Sequence, residues 1–258
     1  MGSEWRFERD DVLSWAGGRE PTARPGEPAA SAAPGPAGPP SLVAANGDVA
    51  LLTLLKLVTE RGPPLLGLVQ ADGRAGAALL EQGAVLAAGA HAGGFPGQLG
   101  GERLARLHLV NREIGLAGPR GAAAPRPRDL GRLRLASRPP SAGVRGYLDA
   151  ALAEAGLDAA EVHRGAVLCH THLDVVTAVA AGRADAGLAS RAWAERLGLA
   201  FRPLATEAYG LILKARDLGD PRAVRLCEVA QGRRFHAAVE AIPGYDAAGG
   251  GDVRYDGV

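Results

Sequence analysis

Residues His170 to Leu188 read in order as a polar loop, an amphipathic helix, a glycine stop and a short buried strand. Thr171 is placed to cap the helix through its hydroxyl, and Asp174 falls in the first turn, where a carboxylate suits the positive helix end. Leu173, Val176, Val179 and Ala180 recur at helical spacing and predict its apolar face. Gly182 supplies a left-handed stop, and Ala184 to Leu188 follows as a strand. A helix that starts at a polar loop and runs straight into a short strand is half of an open α/β lobe. Its N-terminus presents free backbone N–H groups, which suit an anion.

The same grammar recurs earlier. Leu42 to Ala45 reads as a strand, Asn46-Gly47-Asp48 as a turn and cap, and Val49 to Glu60 as an amphipathic helix. Leu65 to Gln70 is the next strand, Asp72-Gly73-Arg74 the next corner with a helix to about Gly83, and Val85 to Ala90 a third strand ending at His91. Strands alternating with helices at this spacing predict a parallel sheet covered on both faces, with ligands beyond the carboxyl ends of the strands. Residues 92–104 are glycine-rich and predict a loop over the cleft, and Leu107 to Ala117 is a long strand. Asp129 to Ser137 alternates leucine with arginine, predicting a strand with one wet face. Ser141-Ala142-Gly143 opens a helix to Gly156, and Val162 to Leu168 reads as a strand. Trp193 falls on a helix after Ser190, Phe201 to Leu213 is a strand, and a helical pair starts at Pro221. The glycine-rich tail after Asp246 is expected to be loose.

Composition narrows the function classes. A chain of 258 residues can bury one large core or two small lobes, and a net charge of +1 provides no global field toward nucleic acid or anionic lipid. Aromatic residues make up only 4%, so the core rests on Leu, Val and Ala. Two cysteines, Cys169 and Cys227, fit a reducing compartment, and no apolar run is long enough to span a bilayer. With a charged N-terminus unlike a signal peptide, the expected location is the cytoplasm, with no membrane partner. No nucleophile elbow, Walker loop or dinucleotide fingerprint occurs, so the chain is not expected to be an enzyme.

Four segments carry a family likeness in order. Ser137-Arg138-Pro139-Pro140-Ser141-Ala142-Gly143-Val144-Arg145-Gly146-Tyr147-Leu148-Asp149 is similar to an N-R-x-x-G-S-G-T-R-x-L-L-D segment, and Ala184-Asp185-Ala186-Gly187-Leu188 closes the opening stretch. Leu199-Ala200-Phe201-Arg202-Pro203-Leu204 followed by Glu207-Ala208-Tyr209-Gly210-Leu211 matches an L-x-F-x-P-L…E-x-Y-x-L run, and Pro243-Gly244-Tyr245-Asp246 resembles G-G-Y-D. Together, over residues 41–250, they resemble the periplasmic-binding-protein-like substrate-binding domains attached to helix-turn-helix regulators or to molybdopterin-biosynthesis proteins. The resemblance implies an α/β, two-lobed type-2 fold, each lobe a mostly parallel sheet flanked by helices. Lobe one would hold about residues 41–115 and 214–250, and lobe two about 128–206. Residues 5–15, with Trp5, Phe7 and Trp15, resemble the end of an excisionase-type (MerR-like) DNA-binding domain. Residues 1–16 then read as a remnant of that domain with its start truncated, and DNA becomes a partner only if a helix-turn-helix lies upstream. Residues 17–40, rich in Pro, Ala and Gly, read as a disordered linker.

The candidate ligand residues cluster at the corners: Asn46, Gly47 and Asp48; Gly73 and Arg74; Ser141, Gly143 and Arg145; Thr171 and His172. His91 at a strand end and Tyr209 in the second long strand join them, each with packing as the competing reading. Any one corner taken alone reads first as a helix cap, whereas four in order favour a cleft. The resemblance suggests molybdate or tungstate as ligand and no cofactor. Asp48 and Asp72 would repel an oxyanion unless Arg74 or Arg145 offsets them, which admits a cationic, zwitterionic or pterin-like ligand. Asp185 reads as a satisfied buried carboxylate, Arg145 as a partner of Asp149, and His170 and His172 with Cys169 as a weak metal pattern. The resulting expectation is an oxyanion-sensing domain of a transcriptional regulator. An accessory binding protein in molybdenum-cofactor biosynthesis and a ligand-free scaffold are the alternatives, and a homodimer stays open.

Overall fold

The computed structural model describes residues 39–96 and 99–256. The readings for residues 1–16 and most of 17–40 lie outside them. The first lobe begins with β1 (Leu42–Ala45), α1 (Val49–Glu60), β2 (Gly67–Gln70), α2 (Gly73–Glu81) and β3 (Ala87–Ala90). A long strand, β4 (Leu104–Gly118), leads into the second. There a 3-10 turn (Pro127–Arg132) precedes β5 (Leu135–Ser137), α3 (Arg145–Glu154), α4 (Ala159–Arg164), β6 (Val167–Leu168), α5 (His172–Ala180), β7 (Ala186–Ser190) and α6 (Arg191–Arg196). A second long strand, β8 (Ala200–Lys214), returns the chain to α7 (Pro221–Ala230), α8 (Arg233–Glu240), β9 (Tyr245–Asp246) and β10 (Val253–Tyr255).

The strand order is β2-β1-β3-β8-β4-β7-β5-β6, with β9 and β10 also on β4. Pairing is parallel within β2-β1-β3 and within β7-β5-β6, and antiparallel wherever β4 or β8 takes part. Two small parallel sheets are thus joined by one antiparallel pair of crossover strands. Each lobe packs apolar side chains on both sheet faces. In lobe one, Leu54, Leu226 and Phe235 lie against Leu107 and Leu211, and Leu80 against Ala88 and Ile212 on the other side. In lobe two, Val175 and Val179 cover Ala136 and Ala189, and Leu148 and Leu152 cover Leu135 and Leu188. This is the covered-sheet architecture expected from alternating strands and helices. Among the described residues no helix is long and apolar enough to cross a membrane.

Several local expectations are corrected. The segment predicted as a strand from Asp129 is a 3-10 turn, started by Pro127 and held where the Arg126 amide donates to Asp129 at 3.3 Å. Only Leu135–Ser137 is strand, and it is buried throughout because helices cover both faces. Val162 lies in α4, capped by Asp158 accepting from the Ala160 amide at 2.8 Å, and the strand shrinks to Val167–Leu168. On α5 the buried face is His172, Val175, Val176, Ala178 and Val179, so Leu173 and Ala180 face solvent. Asp185 is not buried; its carboxylate accepts from the Arg134 guanidinium at 2.7 Å on the surface. The tail is ordered, because Val253, Arg254 and Tyr255 pair with Leu107, Arg106 and Ala105.

The crossover pair carries an irregularity that decides which side chains point inward. His108 pairs with Gly210, but Val110 pairs with Tyr209, so β4 holds one extra residue there. Before this bulge Leu107 shares a face with Leu211. After it Val110 and Arg112 share that face with Tyr209 and Glu207. A Cβ on Gly210 would lie 2.3 Å from the Leu107 carbonyl oxygen. Gly210→Ala is therefore expected to cost about 1–3 kcal/mol, read as a lower urea midpoint with an unchanged slope. A midpoint equal to that of the parent protein would refute this account of the bulge.

Candidate functional site

The inward face of the crossover strands holds a charged cluster between the lobes. Asp48, the cap of α1, is fully buried; one oxygen accepts from the Ala50 amide at 2.8 Å. Its other oxygen accepts from the Tyr245 hydroxyl at 2.5 Å and from the Arg112 guanidinium. Arg112, also fully buried, donates twice to the same oxygen of Glu207, from Nε at 3.0 Å and from the terminal nitrogen at 2.6 Å. Its guanidinium stacks 4.2 Å from the centre of the Tyr209 ring. Nδ1 of His91 lies 3.2 Å from both Glu207 and Arg112, with its ring edge-on to Tyr209. Burial works against the charge on Arg112, but Asp48 and Glu207 outweigh it and hold its pKa well above the usual value. Burial likewise raises Glu207, yet Arg112 and His91 bring it down to about 2.

Lobe two contributes groups without partners. Arg138, at the end of β5, is fully buried, and its Nε and one terminal nitrogen have no hydrogen-bond partner among the described residues. Burial, with Arg112 close by, pushes its pKa down to about 10, so it remains a cation. His172, the first residue of α5, is fully buried with neither ring nitrogen partnered. Burial, Arg138, Arg112 and His91 together hold its pKa well below the histidine range, so the ring is neutral. The second carboxylate oxygen of Glu207 is also buried and unpartnered. Tyr147, on α3, is pushed up to about 12 by burial and then by Glu207, whose carboxylate its hydroxyl approaches without completing a hydrogen bond to the unpartnered oxygen. Each buried unpartnered polar group costs about 1–3 kcal/mol, so these groups together demand a complement.

Three of the corners serve as helix caps, the reading that competed with ligand contact. Asp48 and Asp72 cap α1 and α2, and Thr171 with Asp174 closes a reciprocal capping box on α5. Three corners thus have their first amides occupied by the chain's own oxygens, whereas α3 has no side-chain cap. The charge of Asp48 is offset by Arg112 rather than by Arg74 or Arg145. Arg74 is exposed, and Arg145 donates to Asp149 at 3.0 Å and to the Arg138 carbonyl at 2.9 Å. Ser141 donates to Asp72 at 2.5 Å, tying the second lobe to the first. Gly73 and Gly143 flank the His91 ring, where a Cβ would approach to 3.4 and 3.2 Å. Gly47 takes a φ of 69° that admits the turn into Asp48. Asn46 is buried and accepts weakly from the Tyr209 hydroxyl at 3.4 Å. Among the described residues no group of three His, Cys, Asp or Glu side chains is arranged to hold a metal.

Asn46, Asp48, His91, His172 and Tyr209 therefore meet in one interior, with Ser141, Gly73 and Gly143 at its rim. Arg112, Arg138, Glu207, Tyr147 and Tyr245 belong to it but were not among the sequence candidates. The available signal was Asn111-Arg112-Glu113, a polar triplet between the apolar pairs Leu109-Val110 and Ile114-Gly115 of a long strand.

Two consequences are measurable. Arg112→Met leaves two buried carboxylates unpaired and is expected to destabilise the protein by about 3–5 kcal/mol in urea unfolding. Because the folded-state pKa of Glu207 lies near 2 instead of 4.5, its contribution of about 3 kcal/mol is present above pH 4.5 and lost as the pH falls toward 2. Glu207→Gln should flatten that acid limb, and an unchanged slope would rule out the ion pair as its source.

The family model of the PBP superfamily domain matches residues 59–231. An uncharacterized Clostridium pasteurianum protein from the 5′ region of the ferredoxin 2Fe-2S gene is 32% identical over 90 residues, which are 33% of this chain and 76% of that protein. Among solved structures, a Clostridium perfringens protein named as a phosphate ABC transporter substrate-binding protein, with phosphate bound, superposes with a TM-score of 0.60 at 13% identity, covering 77% of this chain and 96% of that one. Reduced OxyR from Neisseria meningitidis superposes with a TM-score of 0.55 at 14% identity over 80% and 96% of the two chains. The effector-binding domain of QuiR, in complex with shikimate, gives 0.53 at 10% identity over 73% and 92%. At these identities the likeness is one of fold.

Proposed function

The chain belongs to the PBP superfamily, and from that premise we propose that it closes its two lobes on one small organic anion that also carries a hydrogen-bond donor. The observation that carries this reading is the set of buried, unpartnered groups between the lobes: Arg138, His172 and one oxygen of Glu207. The unpartnered Nε and Nη1 of Arg138 each have an N–H to donate to an anion such as a carboxylate. The free oxygen of Glu207 accepts only, so it selects a hydroxyl or ammonium group. Neutral His172 offers one donor and one acceptor. An amino- or hydroxy-carboxylate satisfies all three.

A tetrahedral dianion such as molybdate or tungstate is the second reading. It is favoured by the resemblance of the motifs at residues 137–149 and 199–211 and by the uncapped start of α3. Its charge would meet Arg138 but also face Asp48, Asp72 and Glu207, while Arg112 is already shared between two carboxylates. In either case lobe closure would act in the cytoplasm as the sensing half of a regulator. It shifts the population of an attached module only as far as the ligand prefers the closed state.

Thermal unfolding with L-serine, L-lactate and shikimate in one panel, and molybdate, tungstate and sulfate in another, tests the reading. A ligand at about a hundred times its dissociation constant adds ~2.7 kcal/mol. A shift in the first panel that disappears in Arg138→Met is the expected result. A shift with molybdate or tungstate alone would replace it with the oxyanion reading, and silence in both panels would overturn each.

A further inference from the structure

We propose that the outward face of the crossover strands holds a second binding site, for a small anion of the carboxylate or phosphate class, separate from the cleft between the lobes. A pocket of 230 Å³ opens there, lined among others by Arg106, His108, Asn111, Asp252 and Arg254. The bulge after His108 builds it. Arg106 and His108 share one face of β4, and the extra residue brings Asn111 onto that face while sending Arg112 to the other. The two sites thus lie back to back on the same pair of strands.

Charge is unbalanced in this pocket. Arg106 is only 3% exposed, yet its guanidinium meets backbone carbonyls alone: Gly94 at 3.0 Å, Ala208 at 2.9 Å and Ala90 at 3.5 Å. Among the described residues it forms no ion pair, and neither does Arg254. Arg254 stands directly opposite Arg106 in the β10–β4 ladder, so two like charges occupy one cross-strand pair. Such a pair is destabilising in itself. Asp252 is the one carboxylate in the lining, against two guanidinium groups. Burial, with Arg106 beside it, lowers the pKa of His108, so the ring is neutral and can donate or accept. An anion between the two arginines removes the repulsion and gains donors from both, a geometry suited to carboxylate or phosphate oxygens.

Inorganic phosphate and acetate are titrated separately into the full chain, following the His108 ring and the Gly249 and Gly251 amides by NMR. Saturable shifts with either anion are expected, and the tighter of the two identifies the class. Arg254→Glu, an exposed change that leaves the core untouched, should weaken binding at least tenfold. Arg138→Met, which disables the proposed cleft, should leave these shifts unchanged. Absence of saturation with both anions would overturn the site, as would shifts that survive Arg254→Glu or vanish in Arg138→Met. The two sites therefore fail independently.

Discussion

Arg112 is the group on which the interior between the lobes depends. It reaches Asp48 at the start of a lobe-one helix and Glu207 on the neighbouring crossover strand, with Tyr209 beneath its plane. A buried cation held by two carboxylates is stabilising only when its geometry is satisfied on every side. Here the strand register provides that geometry. One inserted residue in β4 places Arg112 on the face that already carries Glu207 and Tyr209, within reach of His91. The same insertion leaves Arg106 and His108 on the opposite face, so one backbone irregularity sets the chemistry of both sides of the strand pair.

That arrangement also explains what the cleft asks of a ligand. A helix start is a good anion site while its amides are free. In this chain Asp48, Asp72 and the Thr171–Asp174 box already fill three of the four starts. The positive potential left over is concentrated on Arg138, and the negative potential on the free oxygen of Glu207. The buried polar groups left without a partner in this interior are carried by side chains. Side-chain recognition of this kind discriminates by the pairing of donor with acceptor more than by charge alone.

Much of the fold was legible in the sequence because it rests on local signals. The Leu42–Ala45 strand, the Asp48 cap and the helix to Glu60 follow from periodicity and capping chemistry, and the structure reproduces them. The errors have physical causes. Val162 alternates with neighbours as a strand residue would, but the Asp158 cap wins locally. On the helix from His172 the buried face includes Val175 and Ala178 in place of Leu173 and Ala180, a rotation that hydropathy alone does not disclose. The site was half legible. Residues at corners announce themselves through Gly, Asp, Ser and Thr, whereas Arg112 and Glu207 sit mid-strand. Their inward direction depends on a bulge that no short motif encodes.

The hydrogen bond from Ser141 to Asp72 joins the lobes through the chain's own atoms. Parting the lobes would cost both side chains this partner and hand a carboxylate and a hydroxyl back to water. Any molecule that holds the lobes together therefore acts in the same direction as a contact the chain already makes for itself.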